Sequence, residues 1–134
     1  MPALDTNVLV RYVVRDDGAQ HAAAKRLIAR CVAEGAPLFV PVTVMLEFEW
    51  VLRASYGFRK SEILGTLSTL QSAAELSFQS EPDLEVALQL WRESAADFAD
   101  CLHVALAAQA GEQPLWTFDK AASAIDGARR LAKV

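Results

Sequence analysis

Apolar positions along this chain fall into short, unbroken clusters separated by longer stretches of helical period, and that alternation predicts its elements. Residues 2–5 are apolar up to Asp5 and read as a short buried strand leading into a helix over 8–14. Asp16, Asp17 and Gly18 make a turn; from 20 to 33, Leu27, Ile28, Cys31 and Val32 recur at helical spacing, and Gly35 closes that helix. PLFVPV at 37–42 is a strand bounded by prolines, with Thr43 as the cap of a helix to about Ser55 and Ser61 as the cap of another to about Gln71. ELSF at 75–78 is strand-like, Pro82 starts a helix to about Ser94, and Asp97 begins one that ends near Gly111. PLWTF at 114–118 is again a strand, followed by a helix over about 120–126 and RLAKV as a closing strand at 130–134. Strands alternating with helices predict an α/β fold: a mostly parallel sheet with helices on both faces. With no repeat, low-complexity run or linker, residues 1–134 are expected to form a single domain.

Composition narrows the function classes. The chain is 53% hydrophobic, yet no uncharged apolar run reaches about 18 residues, so a membrane span is not expected. No basic segment followed by an apolar one precedes Asp5, which predicts a cytoplasmic protein without a secretory signal. Cys31 and Cys101 stand far apart and His21 and His103 have no second soft ligand nearby, so zinc is not expected. A net charge of −4 opposes broad nucleic-acid binding through overall positive charge, though not through a local basic patch. It also leaves carboxylates free to bind a hard cation, which can then recruit phosphate.

Asp5 and Asp119 both fall where a strand leads into a helix, the place where ligands gather in open α/β sheets. Each is equally placed to cap its helix. Glu47 and Glu49 share one helix but lie about 200° apart around it. Glu49 has Arg53 one turn on, the arrangement of a solvated pair, whereas Glu47 has Val44, Trp50 and Val51 around it and projects from an apolar stripe. Asp97 and Asp100, three apart, stand at the start of a helix, where a cap and a dipole partner are alternative uses. Asp5, Glu47, Asp100 and Asp119 supply oxygen donors suited to Mg²⁺ or Mn²⁺, and phosphodiester hydrolysis is the natural candidate chemistry. Thr6, Asn7 and Thr117 flank these acids and have side chains that can hydrogen-bond them or a water.

The segments LDTNVLV, VMLEFEWVL, ADFADCLHVALA and TFD resemble the four acidic motifs of the PIN domain over nearly the whole chain, and most closely those of VapC-type toxins. The resemblance implies a PIN-like three-layer sandwich around a sheet of about four or five short strands. Asp5, Glu47, Asp100 and Asp119 match the family's metal-binding acids, and Asp97 an additional acid that many members carry. It further implies an Mg²⁺- or Mn²⁺-dependent endoribonuclease acting on cellular RNA, tRNA being a frequent target, as the toxin of a toxin–antitoxin pair. A homodimer and a cognate antitoxin over the acidic site are implied as partners. The apolar helices over 43–55 and 61–71 offer either core or partner surface. Arg11 and Arg53 are the candidates for RNA phosphate contacts, each lying on a helix that begins with or contains a site acid. A haloacid-dehalogenase-type phosphatase would need a second Asp at position 7, which is Asn. The alternative of another class is a catalytically silent PIN-like module that binds a protein or RNA partner.

Overall fold

A computed structural model describes residues 2–133, which form two compact units, one up to Gln79 and the other from Ser80. The first contains α1 (Thr6–Val13), α2 (Gly18–Ala33), β1 (Leu38–Val40), α3 (Val42–Ala54), α4 (Lys60–Gln71) and β2 (Leu76–Phe78). The second contains α5 (Glu81–Glu93), α6 (Phe98–Gln109), β3 (Leu115–Thr117), α7 (Lys120–Ser123) and β4 (Ala128–Arg130).

In the first unit β1 and β2 pair in parallel, Leu38 opposite Leu76 and Val40 opposite Phe78, and the chain between them travels through α3 and α4. Parallel strands need such a crossover. All four of those side chains are buried, so the pair has one core face. The strand expected at residues 2–5 is reduced to one parallel bridge, Ala3 with Phe39, because Asp5 already begins the turn into α1. Asp17 caps α2 by accepting from the Gln20 amide at 3.0 Å. Gly35, at φ +68°, closes it in the left-handed conformation, its amide donating to the Val32 carbonyl.

Two expected caps are displaced. Helix α3 starts at Val42, and the Val42 amide donates to Gln79 Oε1 at 2.9 Å, so Thr43 lies inside the helix. Helix α4 starts at Lys60, with Glu62 Oε1 accepting from the Arg59 amide at 3.0 Å, a role that leaves Ser61 in the first turn. The apolar faces of α3 and α4 bury Met45, Phe48 and Leu52 with Ile63 and Leu67, so most of what these helices offered as partner surface is intramolecular core.

In the second unit α5 and α6 pack through Leu84, Leu88 and Trp91 on one side and Phe98 and Leu102 on the other; the rings of Trp91 and Phe98 stand 5.3 Å apart. Strands β3 and β4 are parallel, with Trp116 opposite Arg129 and Thr117 opposite Arg130. The closing strand lies two residues earlier than the sequence pattern places it, since Gly127 turns the chain at φ +98° directly into Ala128. Of the segment expected as that strand, Val134 falls outside the described residues. Helix α7 is a single turn, shorter than the 120–126 expected. The strands are parallel, as expected, but each is three residues long and they pair two by two, where one sheet of four or five was expected. Cys31 and Cys101 are buried, and among the described residues neither is in a disulfide. Among the described residues no helix is long and apolar enough to cross a membrane.

Candidate active site

The first unit holds Asp5 and Glu47. Asp5 is the N-cap of α1, its Oδ1 accepting from the Thr6 amide at 2.8 Å, and its side chain remains exposed to solvent. Thr6 itself is buried, and its hydroxyl donates a short hydrogen bond to Glu47 Oε1. That bond links the start of α1 to α3 and fixes the direction of the Glu47 carboxylate. Thr6 therefore holds a carboxylate, one of the uses its position allowed.

Glu47 and Glu49 exchange the surroundings expected of them. Glu47 is exposed, while Glu49 is only 2% exposed. Helix α3 buries Val44, Met45, Phe48, Glu49 and Leu52, so its core face runs through Glu49 and turns Trp50 outward. Glu49 is thus a buried carboxylate, compensated by Arg53, whose Nε donates to Oε2 at 2.9 Å and whose Nη2 donates to Oε1 at 3.4 Å. The i,i+4 pair exists, but it is not a solvated one.

The second unit holds Asp97, Asp100 and Asp119. Asp97 is the N-cap residue of α6, yet its side chain makes no capping hydrogen bond. Asp100 lies in the first turn of the same helix and is half-buried. Burial, and then the charges of Asp119 and Asp97, push the Asp100 carboxyl up from its ordinary value, while His103 pulls it down. Asp119 and Asp97 therefore both act on Asp100 within this unit, and none of the three is in an ion pair among the described residues. Asp119 also caps α7, its Oδ2 accepting from the Ala122 amide at 2.8 Å, and the Asp119 amide donates to Thr117 Oγ1 at 3.0 Å. A search for acids passes over His103, although its place one turn after Asp100 is the spacing at which helical charges interact.

The two candidate RNA-binding arginines are engaged inside the first unit. Arg11 Nη1 donates to Tyr56 Oη at 2.7 Å and to Asp16 Oδ1 at 3.1 Å, and Arg11 Nε donates to Gln20 Oε1. Arg11 thereby braces the end of α1 against α2 and the end of α3. Arg53 neutralises Glu49. Asn7 is exposed and, with Val8, Arg11, Gln20, Ala23, Ala24 and Leu27, lines a cavity of about 320 Å³ between α1 and α2.

The donors at the acidic positions are carboxylate oxygens throughout, the hard ligands that Mg²⁺ and Mn²⁺ prefer. Among the described residues no three Asp, Glu, His or Cys side chains come together as a ready cage. Magnesium does not require one, because it usually keeps several waters and takes one or two carboxylates plus substrate phosphate. The repulsion at Asp100 is the kind of charge excess that such an ion relieves, so the residues fit a hard divalent cation.

The PIN domain family model matches residues 3–128, and the chain belongs to that family, whose fold is of the α/β class. Among its relatives is a protein of Aquifex aeolicus (strain VF5) named VapC ribonuclease, 22% identical over 120 residues that make up 90% of this chain and 88% of that protein.

Proposed function

We propose that this protein is a metal-dependent endoribonuclease and the toxin of a VapC-type toxin–antitoxin pair. The observation that carries the reading is the set of Asp97 and Asp100 at the start of α6 and Asp119 at the start of α7, with Asp100 pushed up by burial and then by the charges of Asp119 and Asp97, in a chain of the PIN family. Asp5, Glu47, Asp100 and Asp119 are the acids assigned to the metal, with Asp97 as the additional one. When bound, Mg²⁺ or Mn²⁺ supplies an activated water and offsets charge building up at phosphorus. The chain's own side chains set the stage for that chemistry. Thr6 orients Glu47 through its hydroxyl, and the caps made by Asp5 and Asp119 fix both carboxylates at helix starts. A cognate antitoxin, a homodimer, residence in the cytoplasm and action as one domain belong to the same proposal.

The deciding experiment is incubation of purified, antitoxin-free protein with total cellular RNA and Mg²⁺ or Mn²⁺, with a chelator and with Asp5→Asn as controls. Asn caps a helix as well as Asp does, so this change removes a metal ligand without removing the cap. Discrete fragments that vanish with chelator and with Asp5→Asn are the expected result. A folded wild-type protein that binds RNA without cutting it would leave the silent binding module.

A further inference from the structure

Helix α6 carries a row of three side chains able to bind a metal, and only two of them are acids. Asp97, Asp100 and His103 follow one another at intervals of three residues, so each stands about 60° around the helix and about 4.5 Å along it from the one before. The core side of α6 includes Phe98, Cys101, Leu102 and Ala105, and the row runs clear of it: Asp97 and His103 are exposed and Asp100 is half-buried. Asp100, in the middle, feels both ends of the row, Asp97 pushing its carboxyl up and His103 pulling it down, while Asp119 pushes from the start of α7. The imidazole is therefore within electrostatic reach of that carboxylate, one helical turn away. Yet His103 is in no ion pair or side-chain hydrogen bond among the described residues. Its exposed ring is uncommitted and free to change rotamer. The other histidine, His21, is committed, its Nδ1 lying 2.9 Å from the Arg11 carbonyl oxygen in the first unit. A carboxylate and an imidazole at i and i+3 of one helix are the pair with which helical bundles hold iron and manganese. Asp100 and His103 repeat that spacing.

We infer that His103 supplies a nitrogen donor to the ion held at Asp100, so that the site is a mixed oxygen and nitrogen one that ranks Co²⁺ and Mn²⁺ above Mg²⁺. This rests on the proposed function for the assignment of Asp100 to the metal, and it adds a ligand outside the acids and an order among the ions. Mg²⁺ is hard, prefers oxygen and keeps several waters, so it gains little from an imidazole. Mn²⁺ accepts both kinds of donor, and Co²⁺ stands above it in the order that sites of nitrogen and oxygen follow. A single nitrogen among carboxylates also differs from the sulfur- and histidine-rich sets of structural zinc.

The test is calorimetric titration of Mg²⁺, Mn²⁺ and Co²⁺ into the full chain and into His103→Gln, His103→Ala, His21→Gln and Asp100→Asn, each shown to be folded by circular dichroism. Gln keeps position 103 polar but offers no imidazole. Affinity of the unaltered chain is expected to rise from Mg²⁺ to Mn²⁺ to Co²⁺. Both changes at position 103 should weaken Mn²⁺ and Co²⁺ by at least about tenfold, the lower end of what a metal ligand's orienting partner alone commands, and leave Mg²⁺ within about twofold. His21→Gln should change none of the three, and Asp100→Asn should weaken them all. A neighbouring charge that is no ligand would give a different pattern: with His103 gone, all three ions would bind as before or more tightly together. That result would overturn the inference, as would a loss shared equally by Mg²⁺ or Mn²⁺ binding that survives Asp100→Asn. RNA cleavage with each ion, run in parallel, separates the two readings. Cutting by a chain whose metal order ignores His103 defeats this ligand alone, and an order that depends on His103 in a chain that does not cut defeats the nuclease alone.

Discussion

Arg53→Met isolates the buried carboxylate of α3. Glu49 faces a helix side that also buries Met45, Phe48 and Leu52, and the guanidinium of Arg53 is bonded to both of its oxygens. Breaking a fully buried pair from one side costs about 3–5 kcal/mol, because the remaining charge is left without compensation. Here the Arg53 side chain is 49% exposed, so water reaches the open end and the expected loss falls to about 2 kcal/mol. For a chain of 134 residues that corresponds to a Tm lower by about 7 °C. The assay is thermal and urea unfolding, followed by circular dichroism, of the wild type, Arg53→Met, Glu49→Leu and Glu49→Leu/Arg53→Met. Removing both partners should restore much of what Arg53→Met loses, since no charge is then left buried. A loss under about 0.5 kcal/mol for Arg53→Met would mean that water already serves Glu49. A double variant no better than the single one would place the loss in the packing of the arginine stem instead.

Thr6→Val removes the hydroxyl that holds Glu47 and should lower nuclease activity about 10- to 100-fold, as loss of a ligand's orienting partner commonly does; Thr6→Ser restores it, and initial cleavage rates decide. Asp100 bears on pH. Its carboxyl is raised above the ordinary 3.8 in the folded chain, so the folded state takes up the proton more readily than the unfolded one, and stability falls as pH rises through the folded value. Asp100→Asn should therefore raise the Tm of chelator-treated protein at pH 7 and flatten that decline while abolishing cleavage, and melts across a pH series would expose the opposite sign. Arg11→Ala leaves Tyr56 bonded to Asp16 and should leave the urea midpoint nearly unchanged, read by urea unfolding.

Element order could be read along most of the chain because caps and breakers sit at the boundaries: Gly35 and Asp97 mark ends that the structure keeps, while α2 begins at Gly18, inside the turn expected at 16–18. The acids stood out for the same reason, Asp5 and Asp119 lying at helix starts where an exposed carboxylate is conspicuous. The phase of α3 could not be read. Met45, Leu46 and Leu52 surround Glu49 at helical spacing as closely as Val44, Trp50 and Val51 surround Glu47, so the pattern alone offers two core faces. Packing against α1 and α4 chooses between them. Arg11 has the same history: its neighbours in the chain announce a surface cation, and its partners Tyr56 and Gln20 come from other elements. The sheet was harder still, since a three-residue strand carries only one full alternation and cannot declare which strand it will join.

Cys31 on α2 and Cys101 on α6 give each compact unit one sealed thiol. A sealed thiol reacts with a disulfide reagent only when its surroundings open, so its reaction rate is a clock for that opening. With Cys31→Ser and Cys101→Ser each made alone, the remaining thiol times one unit without interference from the other. Two equal clocks would mean that the halves of the chain open as a single event, and two unequal ones would rank which half lets go first.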